Sequence, residues 1–144
     1  MASPLIVLLD EAFVKQAWHG PNLRGSLRGV TAEQAAWRPP AGRHNIWEIA
    51  VHCAYWKYAV RRRLTGEKRG SFPLTGSNWF VRDGEGDWAA DVRLLLEQHG
   101  LLRKAAAAAE LTPKNERLIR GAAMHDVYHA GQITMLKRLG KPRY

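Results

Sequence analysis

Four stretches of this chain carry apolar residues at helical spacing behind a capping signal, and no stretch alternates polar with apolar residues as a strand would. The first opens with Ser3 and Pro4, an N-cap and then a proline where its missing N–H costs nothing. It continues as Leu5, Leu8, Leu9, Ala12, Phe13 and Gln16 until Gly20 and Pro21 stop it. Asn45, with Glu48 three residues on, starts the second over about 45–64, where Ile46, Ile49, Cys53, Trp56, Val60 and Leu64 form the apolar stripe. Asp87 caps the third, whose stripe is Trp88, Val92, Leu95, Leu96, His99, Leu102 and Ala106. The alanine run 105–109 extends it, since alanine is the best helix former. Thr112 and Pro113 open the fourth, which runs to about Leu139 and is stopped by Gly140 and Pro142. Four such segments in one domain over 1–144 predict an all-α four-helix bundle.

The connections add topology. Residues 20–44 are rich in Gly, Pro and Arg, with one short helical turn expected behind the Thr31 to Gln34 capping pattern. The roughly 22 residues between the second and third helices, at about 3.3 Å each, are enough to retrace a helix about 30 Å long. A crossover there predicts up-down-down-up order, with the second and third helices parallel and the fourth antiparallel to the second. Trp79 and Phe80, in the ordered loop 66–86, serve either as a lid over the mouth of a site or as a plug closing the bundle end. On the second helix, Lys57, Arg61 and Arg62 fall on the exposed side, and Trp47 points outward, where it marks a candidate dimer face.

Charge and cysteine content narrow the function classes. Against 13 Asp and Glu stand 22 Lys and Arg, a net +9, and the single cysteine rules out an internal disulfide. No apolar run approaches the roughly 18 residues of a membrane span, and Leu5 to Leu9 is too short for a signal-peptide core, so the expected location is the cytoplasm. The positive surplus fits nucleic acid, an acidic membrane face, an anionic small molecule, or solubility alone. Arg61, Arg62, Arg63, Lys68, Arg69, Lys137, Arg138, Lys141 and Arg143 would carry a nucleic-acid reading, but no helix-turn-helix or other recognition motif accompanies them. Most of the surplus is expected on the outward side of the second helix, the following loop and the last residues.

The informative chemistry lies in six histidines. His125 and His129 are four apart and so stack on one helix face, the spacing that lets two imidazoles share a metal, although spacing alone is common. At about 100° per residue, His125, His129, Gln132 and Leu136 fall within about 60° of one another, while Arg120, Thr134 and Arg138 point away. His52 lies between Ile49 and Trp56, also facing inward. It sits about 10 Å from the start of its helix, and His129 about 24 Å from the start of the last. In antiparallel neighbours those levels nearly coincide. No inward carboxylate is evident beside them. Three neutral imidazoles suit zinc or nickel first, then iron, cobalt or manganese, and leave coordination positions open. Gln132 can orient a bound water or only bond the first helix, and Glu48 can accept an imidazole N–H or act as a base, or serve only its capping box. Asp126 and Tyr128 flank the inward face, with Tyr128 at the site edge. His99 reads as a core histidine, His19 and His44 as helix-end residues, and Cys53 as a small buried hydrophobe.

At these residues the chain resembles a known family. HDVYHAGQI followed by Leu136, Lys137, Arg138 and Leu139, the stretch IWEIAVHCAYW around His52, and Trp18, His19, Gly20 and Pro21 are similar to the DinB/YfiT-like metalloenzymes over nearly the whole length. The resemblance implies an up-down-down-up four-helix bundle, frequent homodimers and a divalent metal held by His52, His125 and His129. In related branches the metal assists transfer of low-molecular-weight thiols such as bacillithiol or mycothiol, or an isomerisation that uses them. The expected function is a metal-dependent hydrolase or thiol S-transferase acting on a small molecule. A non-catalytic metal-binding sensor and a basic nucleic-acid module are the alternatives.

Overall fold

The computed structural model describes residues 3–141, and all of its regular structure is helical. Four long helices, α1 (Pro4–Phe13), α4 (Ile46–Thr65), α5 (Trp88–Ala108) and α6 (Pro113–Leu139), are accompanied by two short ones, α2 (Leu23–Ser26) and α3 (Ala32–Ala36). The caps form as the sequence requires. Ser3, Asn45, Asp87 and Thr112 each accept a backbone N–H three residues on, and Asn45 and Glu48 close a reciprocal capping box. Gly66, at φ 78°, ends α4 in the left-handed region and donates to the Arg62 carbonyl at 2.8 Å. Gly140 caps α6, whereas Pro142 and Arg143 lie outside the described residues. Two details depart from expectation. α1 ends at Phe13, short of Gly20, and α2 forms although its four residues carry no period. Burial of Leu23 beneath a cap supplied by Asn22 holds it instead.

α4 packs on α5 and α6, and α1 closes the arrangement against α5 and α6. Contacts between α4 and α5 ascend together, from Trp47 with Asp91 to Lys57 with His99. Those between α4 and α6 run oppositely, from His52 with His129 to Lys57 with Asp126. The apolar core is split. One cluster gathers around Trp47, Val51, Leu95 and Ile133, the other around Leu9, Val60, Leu102 and Ile119. Between them, in sequence along three helices, lies a polar layer of Lys57, His99 and Asp126. No helix of the described residues is long and apolar enough to cross a membrane.

Three expectations about α4 are corrected. Trp47 is 1% exposed and donates its Nε1–H to Asp91 Oδ2 at 2.7 Å, so it offers no dimer face. Lys57 and Arg61, at 2% and 8% exposed, are interior groups, which leaves Arg62 the least buried of the three assigned outward. The reason is common to all three. α4 is covered by α5, α6, α3 and the 66–86 loop, so 14 of its 20 residues are buried, and a single-stripe reading places too much of its circumference in water.

Candidate metal centre

Three imidazoles meet between α4 and α6. His52 Nε2 lies 3.1 Å from His125 Nε2, and His129 Nε2 lies 3.1 Å from the same atom. The three form a group whose ligand atoms all lie within 4.8 Å of one another. A tetrahedral set at the usual zinc–nitrogen distance of about 2.0–2.1 Å has edges of about 3.3 Å, so the two pairs that include His125, at 3.1 Å, already stand within a few tenths of an ångström of that spacing. Nitrogens this close, each offering a lone pair, also require a positive centre or a shared proton between them.

Hydrogen bonds on the far side of two rings decide which nitrogen faces inward. His52 Nδ1–H donates to the Asn78 carbonyl at 2.8 Å. His129 Nδ1–H donates to Gln132 Oε1 at 2.7 Å, and Gln132 Nε2–H donates on to Tyr128 Oη at 3.2 Å. A carbonyl oxygen only accepts, so each Nδ1 must carry the proton and each Nε2 must present its lone pair to the centre. Trp79 fixes the plane of the His52 ring, stacking on it at 3.8 Å and on His44 at 3.6 Å from its other face.

Burial keeps the imidazoles neutral. It pushes His52 down to about 4 against the pull of Asn78, and His125 down to about 3, with neighbouring imidazoles and Lys57 adding to the effect. His129 is lowered for the same reason, and in the polar layer burial beside Lys57 takes His99 to about 3. Each folded value lies below the ordinary 6.5, so the unfolded chain binds more protons as the pH falls through that value, and stability falls with it. The metal-free protein is therefore expected to lose stability steadily as the pH falls from 6.5 toward about 4.5. Urea midpoints across that interval check this, and a flat profile contradicts it.

A second group, Cys53, His125 and Asp126, also lies within 4.8 Å. Its chemistry is poorer. The Cys53 thiol is fully buried and pushed well above its ordinary value, which keeps it protonated, and Asp126 already accepts from Lys57 Nζ at 2.5 Å.

The remaining site candidates divide. Gln132 bonds His129 rather than the first helix, and Tyr128, largely exposed, accepts from Gln132 at the rim. Glu48 stands apart. Its oxygens take both terminal nitrogens of Arg38 and the backbone N–H groups of Asn45 and Arg82, and none of the three clustered histidines donates to it. Those bonds outweigh burial and hold its carboxyl at about 2. Trp79 and Phe80 part company, the first stacking on the site and the second buried against Tyr55 and Phe72. His19 bonds the Pro21 carbonyl in solvent, and His99 stacks on Phe13 in the interior. The sequence reading missed Asn78 and the Lys57–Asp126 pair. Asn78 left one signal, an asparagine in a Gly- and Ser-rich loop, and it adopts φ 67° here, a conformation that residue tolerates.

A family model for the DinB superfamily matches residues 16–133. No curated protein and no solved structure matched.

Proposed function

The chain belongs to the DinB superfamily, and on that premise we propose that it is a metal-dependent enzyme whose divalent ion is held by Nε2 of His52, His125 and His129. The observation that carries this reading is the convergence of those three nitrogens with the protons of two rings committed to the opposite side. Zinc or nickel suits three imidazoles, and such an ion supplies Lewis acidity, lowering the pKa of a water or thiol brought to it. The direction of the inter-helix contacts supports up-down-down-up order, which brings an early α4 histidine level with late α6 histidines.

The chain's own residues do the positioning. Asn78 holds the tautomer of His52, Trp79 holds its plane, and Gln132 holds His129 while Tyr128 holds Gln132. Cys53 and the buried wall of α4 keep water from the rear of the site. The substrate is a small molecule carrying a group that water or a thiol attacks. Removing a histidine's outer partner typically costs tenfold to a hundredfold in metal affinity. Gln132→Ala is accordingly expected to weaken zinc by about that factor while leaving stoichiometry at one, read by competition with a chromophoric chelator. Unchanged affinity would remove Gln132 from the centre. The test of the function itself is metal content joined to turnover. Hydrolysis or thiol-transfer activity against a panel of small electrophiles should appear only in metal-loaded protein and vanish in His129→Ala. Equal rates with and without metal would refute it.

A further inference from the structure

A cleft of about 690 Å³ runs from the edge of His125 along the groove between α4 and α6 to the N-terminal end of α6. Its volume is that of a small-molecule site. The walls change character along its length. Beside His125 it is bounded by Trp56 and the buried Lys57–Asp126 pair, farther along by Val60, Leu118 and Ala122, and it carries Arg63, reaching over Trp56, and then Lys114 and Arg117 toward its outer end.

Charge is one-sided here. Asp126 is the single carboxylate on the lining and is already paired, whereas none of Arg63, Lys114 and Arg117 has a carboxylate within ion-pair distance among the described residues. Arg63 lies over the Trp56 ring at 5.7 Å, which turns its guanidinium along the cleft wall. The positive end of the α6 dipole falls at the same mouth. Single exposed cations contribute little, but three around one concavity with an apolar wall focus their field into it.

We propose that this cleft binds an elongated, anionic small molecule: its charged terminus at Arg63, Lys114 and Arg117, its apolar body along Trp56 and Leu118, its reactive head at His125. Helical rise places Arg117 about 12 Å and Lys114 about 17 Å from the level of His125, so the ligand must be long as well as charged. The assignment of the head rests on the metal-centre reading, whereas the anion end and apolar body do not. Gly121 supplies a means of blocking the cleft, because it lines the wall, is exposed, and a Cβ built there meets nothing within 4 Å.

The test is calorimetry of the zinc-loaded protein at low salt with mercaptoundecanoic acid, its uncharged amide, and mercaptopropionic acid, too short to reach both ends. The long acid is expected to bind at least tenfold more tightly than either. The acid-over-amide preference should disappear in the Arg63→Ala/Lys114→Ala/Arg117→Ala variant with zinc content unchanged. Gly121→Leu should lose both long ligands while keeping its zinc and its melting temperature. Equal binding of acid and amide, or a preference that survives the triple variant, overturns the proposal. So does a single-stranded oligothymidylate that binds more tightly than the acid and is indifferent to Gly121→Leu, since it places the anion outside the cleft. Undecanoic acid on metal-free protein separates the two readings. If it still binds with dependence on the three cations while no zinc is taken up, the cleft stands and the metal centre falls. If zinc binds and no anion preference exists, the reverse holds.

Discussion

Replacing His125 by alanine is expected to weaken zinc binding about a thousandfold and to leave the folded bundle intact. His125 Nε2 is the common neighbour of the other two, 3.1 Å from each, so its loss leaves two donors that no longer close a face around an ion. Histidine-rich and cysteine-rich zinc sites are worth on the order of 10 kcal/mol or more, and one donor's share of about 4 kcal/mol is roughly three orders of magnitude in affinity. The side chain is neutral in the folded protein and only partly buried, so truncation in the metal-free state leaves no charge stranded. His19→Ala serves as the control, because its ring bonds only the Pro21 carbonyl in solvent. Parallel metal titration and urea denaturation of the two variants check the expectation. Undiminished zinc affinity in His125→Ala would contradict it.

The second large effect concerns the polar layer. Lys57, 2% exposed, donates to Asp126 Oδ2 at 2.5 Å and to His99 Nδ1 at 3.1 Å, and lies 4.7 Å from the centre of the Phe13 ring. Burial pushes the Asp126 carboxyl up even against the pull of that ammonium. Lys57→Met therefore leaves a fully buried carboxyl without its cation, which typically costs about 3–5 kcal/mol, whereas replacing both members of a buried pair by apolar groups is often neutral. The double variant Lys57→Met/Asp126→Leu should recover most of what the single one loses. Urea midpoints of the three proteins measure this coupling. Equal losses in the single and double variants would show that the pair does not act as a unit.

How far these features were legible in the residues follows from what each depends on. The four long helices were legible because caps and period are local: Ser3 with Pro4, Asn45 with Glu48, and Thr112 with Pro113 act within one turn of chain. The three histidines were legible because helical rise and angle convert sequence number into depth and direction. Trp47, Lys57 and Arg61 were misplaced because their burial depends on how many neighbours cover α4, a tertiary fact that one amphipathic stripe does not contain. Asp126, read only as flanking the inward face, was left without its partner for the same reason. Its partner lies 69 residues away on a helix whose face had been assigned to solvent. Glu48 shows the converse. Its local reading as a capping residue was sufficient, and Arg38 and the backbone of Arg82, distant in sequence, use up what that box leaves free. Asn78 acts through its backbone carbonyl, which side-chain chemistry does not announce.

The most direct test is X-ray absorption on zinc-loaded protein. Three histidine nitrogens at about 2.0–2.1 Å, with light-atom scatterers completing the shell and one ion per chain, are the result the three-imidazole centre predicts. A sulfur at about 2.3 Å would transfer the ion to the group containing Cys53, and failure to bind stoichiometric zinc at all would contradict the centre outright.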